Sequence, residues 1–175
     1  EETLQRTNGM FAIAAWNVAQ RQLLLARDRL GEKPLYWQLA GARFAFASEL
    51  RALRALPDTH LAIDPAAATA LLRWSYIPHP HTIYTGVRQL PPGGLLQLDL
   101  HTGNPAAHER TWWSLTDTVD RSLTARRPIT LAAAAEQLEP LLGEAVAIRM
   151  ESDVPLGAFL SGGTSLSMRI ATASP

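Results

Sequence analysis

At 175 residues the chain is long enough for one compact domain or for parts of two. Lys plus Arg equals Asp plus Glu at 16 each, so no electrostatic footprint for nucleic acid or an anionic membrane follows, and neither partner is expected. The chain has no cysteine, which excludes a disulfide scaffold, a cysteine metal site and a thiol nucleophile within these residues.

A composition of 47% hydrophobic and 18% charged residues is that of a globular protein rather than a disordered tail. The opening Glu1-Glu2-Thr3-Leu4-Gln5-Arg6 lacks the basic end and apolar run of a signal peptide, and no apolar stretch approaches the length of a membrane span. The first residue is not Met, which points to processing or truncation.

From Gly9 to Ser48 the text reads as β-structure. Met10 to Trp16 is an apolar run of strand length, Asn17-Val18-Ala19-Gln20 turns the chain, and Leu23 to Arg27 returns antiparallel. Such runs lack alternation and predict strands buried on both faces, as between layers. A second pair spans Leu35 to Leu39 and Phe44 to Ala47, joined by Ala40-Gly41-Ala42. A short helix is predicted from Ser48 to Leu53. Asp64-Pro65 opens another, with Asp64 as N-cap and Pro65 at the first helical position, running to about Trp74.

Pro78 and Pro80 end that helix, and the segment from Ile77 to Pro92 reads as irregular. Gly93-Gly94 leads into a strand over Leu95–Leu100, His101-Thr102-Gly103-Asn104 turns the chain, and Trp112-Trp113 anchor an extended piece. Residues 114–130 are polar and without period, and read as a linker. Leu131, Ala135, Leu138, Leu142, Ala145 and Arg149 then recur at helical spacing, with Arg149 at the solvent edge near the negative end of the dipole. Pro140 and Gly143 predict a kink there. A short apolar run from Leu156 to Leu160 leads into Ser161-Gly162-Gly163.

Strand, Ser-Gly-Gly and a prospective helix form a phosphate-site arrangement. Glycines let the backbone turn tightly and approach an oxyanion, and exposed N–H groups with a helix N-terminus supply positive potential. Alone, the tripeptide is most often a turn. It does not stand alone. Asn8-Gly9-Met10-Phe11-Ala12, the run from Ala26 through Arg27, Asp28 and Gly31 to Tyr36, Phe46-Ala47-Ser48-Glu49-Leu50, Tyr76-Ile77-Pro78, Thr82-Ile83-Tyr84, Gly86-Val87, Leu90-Pro91-Pro92-Gly93 and the run from Ser152 to Gly163 follow one another in order. Through them the chain resembles the glutamine-hydrolysing asparagine synthetase family over nearly its whole length.

The resemblance implies an α/β (α+β) fold in two parts. Residues 1–113 would be the C-terminal part of an N-terminal-nucleophile glutaminase sandwich, a class II glutamine amidotransferase domain, with the junction. Residues 114–130 would be the linker. Residues 131–175 would begin a parallel-sheet ATP-pyrophosphatase-type domain, with its first helix and strand. In such enzymes an N-terminal Cys releases ammonia from glutamine, its own α-amine serving as base. Aspartate is activated as an adenylate at the expense of ATP with Mg2+, and ammonia attacks it. The implied substrates are glutamine, aspartate and ATP, the implied location is cytoplasmic, and the parent protein would be a homodimer.

Carried over residue by residue, the phosphate loop is Leu160, Ser161, Gly162 and Gly163. The family's nucleophile has no counterpart here, so no catalytic residue is assigned and this chain alone is expected to be inactive. Arg27 and Asp28 are implied to sit in a structural turn near the domain junction, a surface ion pair being the plain alternative. Asp153 reads as a turn cap or a residue near the nucleotide, with the cap preferred. His79 and His81 flank a proline without a third ligand and read as solvated, and no metal site is assigned. Trp112 and Trp113 read as core or junction filling rather than as stacking platforms.

The loop departs from the family pattern at one place. Ser165 stands where the family has Asp, and a neutral hydroxyl is a poor ligand for a hard divalent cation. Beyond Gly163 the match collapses, which points to a frameshift, an assembly break or a real truncated product. Two other readings stand beside the first. One is a relative with another acceptor, such as a β-lactam synthetase, a lasso-peptide cyclase or a polysaccharide-associated amidotransferase. The other is a noncatalytic binding fragment.

Overall fold

The structure is a computed structural model that describes residues 2–100, 105–150 and 152–157. The chain divides into two compact units, Glu1–Pro128 and Ile129–Pro175. The predicted turn at 101–104 and the phosphate loop from Leu160 to Gly163, with Ser165, lie outside the described residues.

The first unit is a mixed α/β assembly built on two antiparallel sheets. A short helix, α1 (Glu2–Arg6), precedes β1 (Ala12–Asn17) and β2 (Gln22–Arg27). Next come β3 (Tyr36–Ala40), β4 (Arg43–Ala47), α2 (Leu50–Arg54) and α3 (Pro65–Trp74). The unit continues through β5 (Val87–Gln89), β6 (Gly94–Asp99), β7 (Ala106–Thr111) and α4 (Leu115–Thr124). One sheet has the order β1-β2-β6-β7 and the other β4-β3-β5.

Register follows the apolar pattern. Leu25 faces Leu96 and Leu23 faces Leu98 across β2 and β6. Their side chains meet Trp37, Leu39 and Phe44 of the second sheet in one core with Leu35 and Leu90. On the other face of the four-stranded sheet, Ala26, Leu95 and Trp112 form a second cluster closed by Leu4, Phe11 and Trp113. The central strands β2 and β6 are therefore covered on both faces, as their unbroken apolar runs predict. β1 is not. It is the outer strand of its sheet among the described residues, and Ile13 and Trp16 are exposed.

Other elements form where local chemistry asks for them. The two-residue loop Gly41-Ala42 closes the hairpin in which Ala40 pairs with Arg43. Asp64 caps α3, its carboxylate accepting from the backbone N–H groups of Ala66 and Ala67, with Pro65 at the first position. The segment read as irregular holds β5, three residues that pair with Tyr36–Gln38 of β3. The predicted linker at 114–130 holds α4. Ser114 caps it by accepting from Asp117 N–H, and Leu115, Val119 and Leu123 mark a four-residue spacing along it. That stripe, with a Ser-x-x-Asp opening, is a helix signal that the polar composition hides.

In the second unit the helix predicted from Leu131 is present as α5 (Leu131–Ala147), capped by Thr130 and continuing through Pro140. Arg149 lies just past its end and donates to the carbonyl of Ala145 (2.7 Å), as a cation at a C-terminal turn should. Most of the predicted strand at 156–160 falls outside the described residues, and 155–157 carry no regular structure. Ser152, rather than Asp153, caps the turn there: its hydroxyl accepts from Val154 N–H (3.2 Å), and Asp153 is exposed.

Candidate functional site

The loop between β2 and β3 concentrates the buried polar chemistry of the first unit. Arg27, the last residue of β2, is only 5% exposed, and Asp28 is 1% exposed. Buried charges of this kind must be hydrogen-bonded to persist. The Arg27 guanidinium donates to three backbone carbonyls: Lys33 from Nε (2.7 Å), Leu90 from Nη1 (2.6 Å) and Gly31 from Nη2 (2.5 Å). A planar fork with several fixed donors suits that task; a lysine ammonium does not. Burial lowers the Arg27 pKa from its ordinary value, and Asp28 and Tyr36 oppose that shift.

Asp28 does the converse. Its carboxylate accepts from the backbone N–H groups of Glu32 (2.9 Å), Lys33 (2.9 Å) and Phe11 (3.3 Å). Burial pushes the Asp28 pKa up, but the N–H groups of Lys33, Glu32, Phe11 and Gly31 together outweigh it and hold the carboxyl below the usual range. The backbone of Asp28 adds three ties: its N–H donates to Phe11 O (2.9 Å), and its carbonyl accepts from Gly93 N–H (2.8 Å) and Gly31 N–H (3.2 Å). The two side chains thus bond to main chain, not as an exposed ion pair.

Two long-range partners close the knot. The Trp112 indole N–H donates to Arg27 O (3.0 Å), its ring stacks on Phe11, and the Arg29 guanidinium lies 5.2 Å above it. Gly93 accepts from Trp112 N–H (2.9 Å) with φ +60°, and a Cβ there would sit 2.0 Å from the carbonyl oxygen of Trp113. Only glycine fits. Arg29 reaches back to the start of the chain, donating to Thr7 O (2.7 Å) and Gln5 O (2.8 Å).

Beside this knot lies a cleft of ≈ 650 Å³ lined by Gln5, Arg29, Thr111, Trp112, Trp113 and residues of α4 and its cap, among them Asp117 and Arg121. Arg27 and Asp28 are not among its walls. With both carboxylate oxygens of Asp28 and all three donor nitrogens of Arg27 engaged, the pair is built to hold a loop, not to exchange protons with a substrate. His79 and His81 lie on the segment before β5, both exposed. Among the described residues no group of three His, Cys, Asp or Glu side chains could hold a metal ion.

Arg29 and Gly93 are the members of this site that residue patterns alone do not single out, while Trp112 is buried as its reading as core filling expects. The signal for Gly93 is present in its place between two prolines and a strand. Nothing in the sequence announces the Arg27 carbonyl as the acceptor for a tryptophan 85 residues away.

Comparison with known proteins matches residues 1–113 to the family described as glutamine amidotransferase domain, and residues 137–173 to the family described as asparagine synthase, so the likeness runs past Gly163 and does not collapse there as the departure at Ser165 suggests. The chain is 33% identical over 165 residues to a Methanocaldococcus jannaschii protein provisionally named a glutamine-hydrolyzing asparagine synthetase, covering 93% of this chain and 30% of that protein. It is 28% identical over 180 residues to asparagine synthetase (glutamine-hydrolyzing) 3 of Bacillus subtilis, covering 99% of this chain and 27% of the relative. A Penicillium rubens protein named amidase chyE is 28% identical over 161 residues, covering 91% of this chain and 22% of that protein. The chain thus spans between 22% and 30% of the length of these relatives.

Proposed function

The chain belongs to the glutamine amidotransferase domain family through residues 1–113, and from that premise we propose that its parent protein is a glutamine-dependent asparagine synthetase. In this reading the parent adenylates aspartate with ATP and amidates it with ammonia taken from glutamine. The chain itself holds no thiol for the glutamine half-reaction and a serine, Ser165, in place of the carboxylate for the ATP half, and in this reading carries out neither. The observation that carries the reading is the order of the two family matches, amidotransferase first and asparagine synthase second, along a single chain.

The Arg27–Asp28 knot ties down Gly93 and Trp112, the last buried residue before α4. Its role here is structural: it fixes the end of the amidotransferase domain near the junction. Residues 1–113 then form the C-terminal part of that domain, 114–130 the junction with α4, and 131–175 the start of the synthetase domain. The change of unit after Pro128 supports a boundary in that region.

Leu160-Ser161-Gly162-Gly163 is the proposed ATP phosphate loop. Its glycines suit close approach of backbone N–H groups to phosphate oxygens. The magnesium donor set does not fit in the same way, because Ser165 offers a hydroxyl where a carboxylate is needed. No step through Mg2+ is assigned to these residues.

The test is made on the complete reading frame recovered from the locus that encodes this chain. Supplied with glutamine, aspartate and ATP, its product should release glutamate and pyrophosphate and form asparagine. The 175-residue chain should give none of the three. Pyrophosphate release that depends on a carboxylate other than aspartate would move the parent to another acceptor, and asparagine formation by the short chain would overturn the assignment of its inactivity.

A further inference from the structure

The sequence contains three asparagines, and their surroundings differ in a way that bears on covalent chemistry. Asn17 is followed by β-branched Val18, and its amide is engaged on both sides: Nδ2 donates to Gln20 Oε1 (3.0 Å) and Oδ1 accepts from Gln20 N–H (3.1 Å). Asn104 is followed by Pro105, which has no backbone N–H. Asn8 is exposed, carries no side-chain hydrogen bond among the described residues, and is followed by Gly9, whose N–H donates to no acceptor there. Glycine also lacks the Cβ that would crowd an approach to the neighbouring side chain.

We propose that Asn8-Gly9 is a site of spontaneous deamidation and isoaspartate formation, selective over the other two asparagines. The Gly9 amide nitrogen attacks Asn8 Cγ, a C–N bond forms, and the Cγ–Nδ2 bond breaks. Ammonia leaves with the proton taken from the Gly9 amide, and a succinimide remains. Solvent water adds to either of its carbonyls, giving an ordinary aspartyl residue at position 8 or an isoaspartyl linkage that runs through Cγ. No oxidant or reductant is required. Asn104 cannot follow this route, because its neighbour has no N–H to lose.

The position of the site gives the reaction a consequence. Thr7, one residue before it, has its carbonyl held by Arg29 (2.7 Å). Phe11, three residues after it, is held at both its N–H and its carbonyl by Asp28. An isoaspartyl linkage lengthens the main chain between these anchors by one methylene and adds a negative charge. The span can no longer satisfy both anchors at their present spacing, so the tie between the chain start and the Arg27–Asp28 loop loosens. An ordinary aspartyl residue at position 8 adds the charge without the extra length.

The full chain, incubated at mildly alkaline pH and digested, is expected to show amide-to-acid conversion in the peptide carrying position 8. That peptide should split into two chromatographic isomers, one of them a substrate for isoaspartate methyltransferase, before conversion is measurable at Asn17. Asn8→Ser should abolish the methyl-accepting product and Gly9→Ala should slow its formation markedly, the former guarding against a folding defect in the latter. The aged chain should melt at a lower temperature than Asn8→Asp prepared directly. An unreacted position 8, or conversion at Asn17 that keeps pace with it, would overturn the site. Equal melting of aged chain and Asn8→Asp would overturn its effect on the anchors.

Discussion

At the scale of single residues, Asp28 is the group whose chemistry is most constrained. It is buried, and its charged form is chosen by N–H donors from two separate stretches of chain, Phe11 on one side and Gly31 to Lys33 on the other. The folded state holds its pKa below the unfolded value, so its contribution to stability is present above the unfolded pKa of about 3.9 and is lost as pH falls through the folded value. Asp28→Asn keeps the shape and removes the charge. It should cost about 2 kcal/mol or more at neutral pH, since charge-assisted bonds are weakened and an amide NH2 is turned toward N–H donors. The two proteins should converge as the pH is taken well below about 4. Urea unfolding of both from neutral pH downward checks this, and parallel curves across that range would show that the Asp28 charge contributes nothing.

At the scale of elements, α4 changes what proteolysis should find. An irregular segment over 114–130 would be cut throughout, but Leu115–Thr124 is helical, and the stretch without regular structure is confined to 126–130. Arg126 and Arg127 lie there exposed, and Pro128 blocks tryptic cleavage after Arg127. Brief digestion with trypsin should therefore cut first after Arg126 and leave a fragment ending there, with Arg121 inside α4 cut later. Early cleavage at Arg121 would mean that the helix does not protect its backbone.

The same elements show what residues reveal in isolation. Asp64-Pro65 and Gly41-Ala42 are legible because capping and tight turns are local chemistry, settled within four residues. β5 is not, because three residues flanked by Gly86 and Leu90 become a strand only through pairing with β3, some fifty positions earlier. The apolar run of β1 correctly predicts a strand but wrongly predicts its burial. It is the same kind of run as that of β2, and only sheet order separates an outer strand from a central one. At the site, Arg27 and Asp28 stand out as a polar pair between apolar runs. Their partners do not, since backbone carbonyls and N–H groups carry no signature in a sequence.

For the whole molecule, the decisive feature is apolar surface without an electrostatic counterweight. In the first unit Trp16, Leu72, Trp74 and Tyr76 are each about half exposed or more. In the second, Leu131, Leu141 and Val146 of α5 are exposed as well. Each represents apolar area worth about 25 cal/mol per Å² when removed from water, and a net stability of only about 5–15 kcal/mol is typical of a domain. Charge does little to keep copies apart, because the formal net charge is zero and the sequence pI is ≈ 7.3. The chain should therefore self-associate most strongly near neutral pH. Sedimentation across a concentration series at the pI should show mass rising with concentration, and sulfate should increase it by favouring burial. Well below the pI, where the chain carries net positive charge, the same series should shift toward monomer. A single monomeric species at the pI in sulfate would mean that these side chains cover one another in solution, and that the exposed apolar surface is not what governs the chain's behaviour.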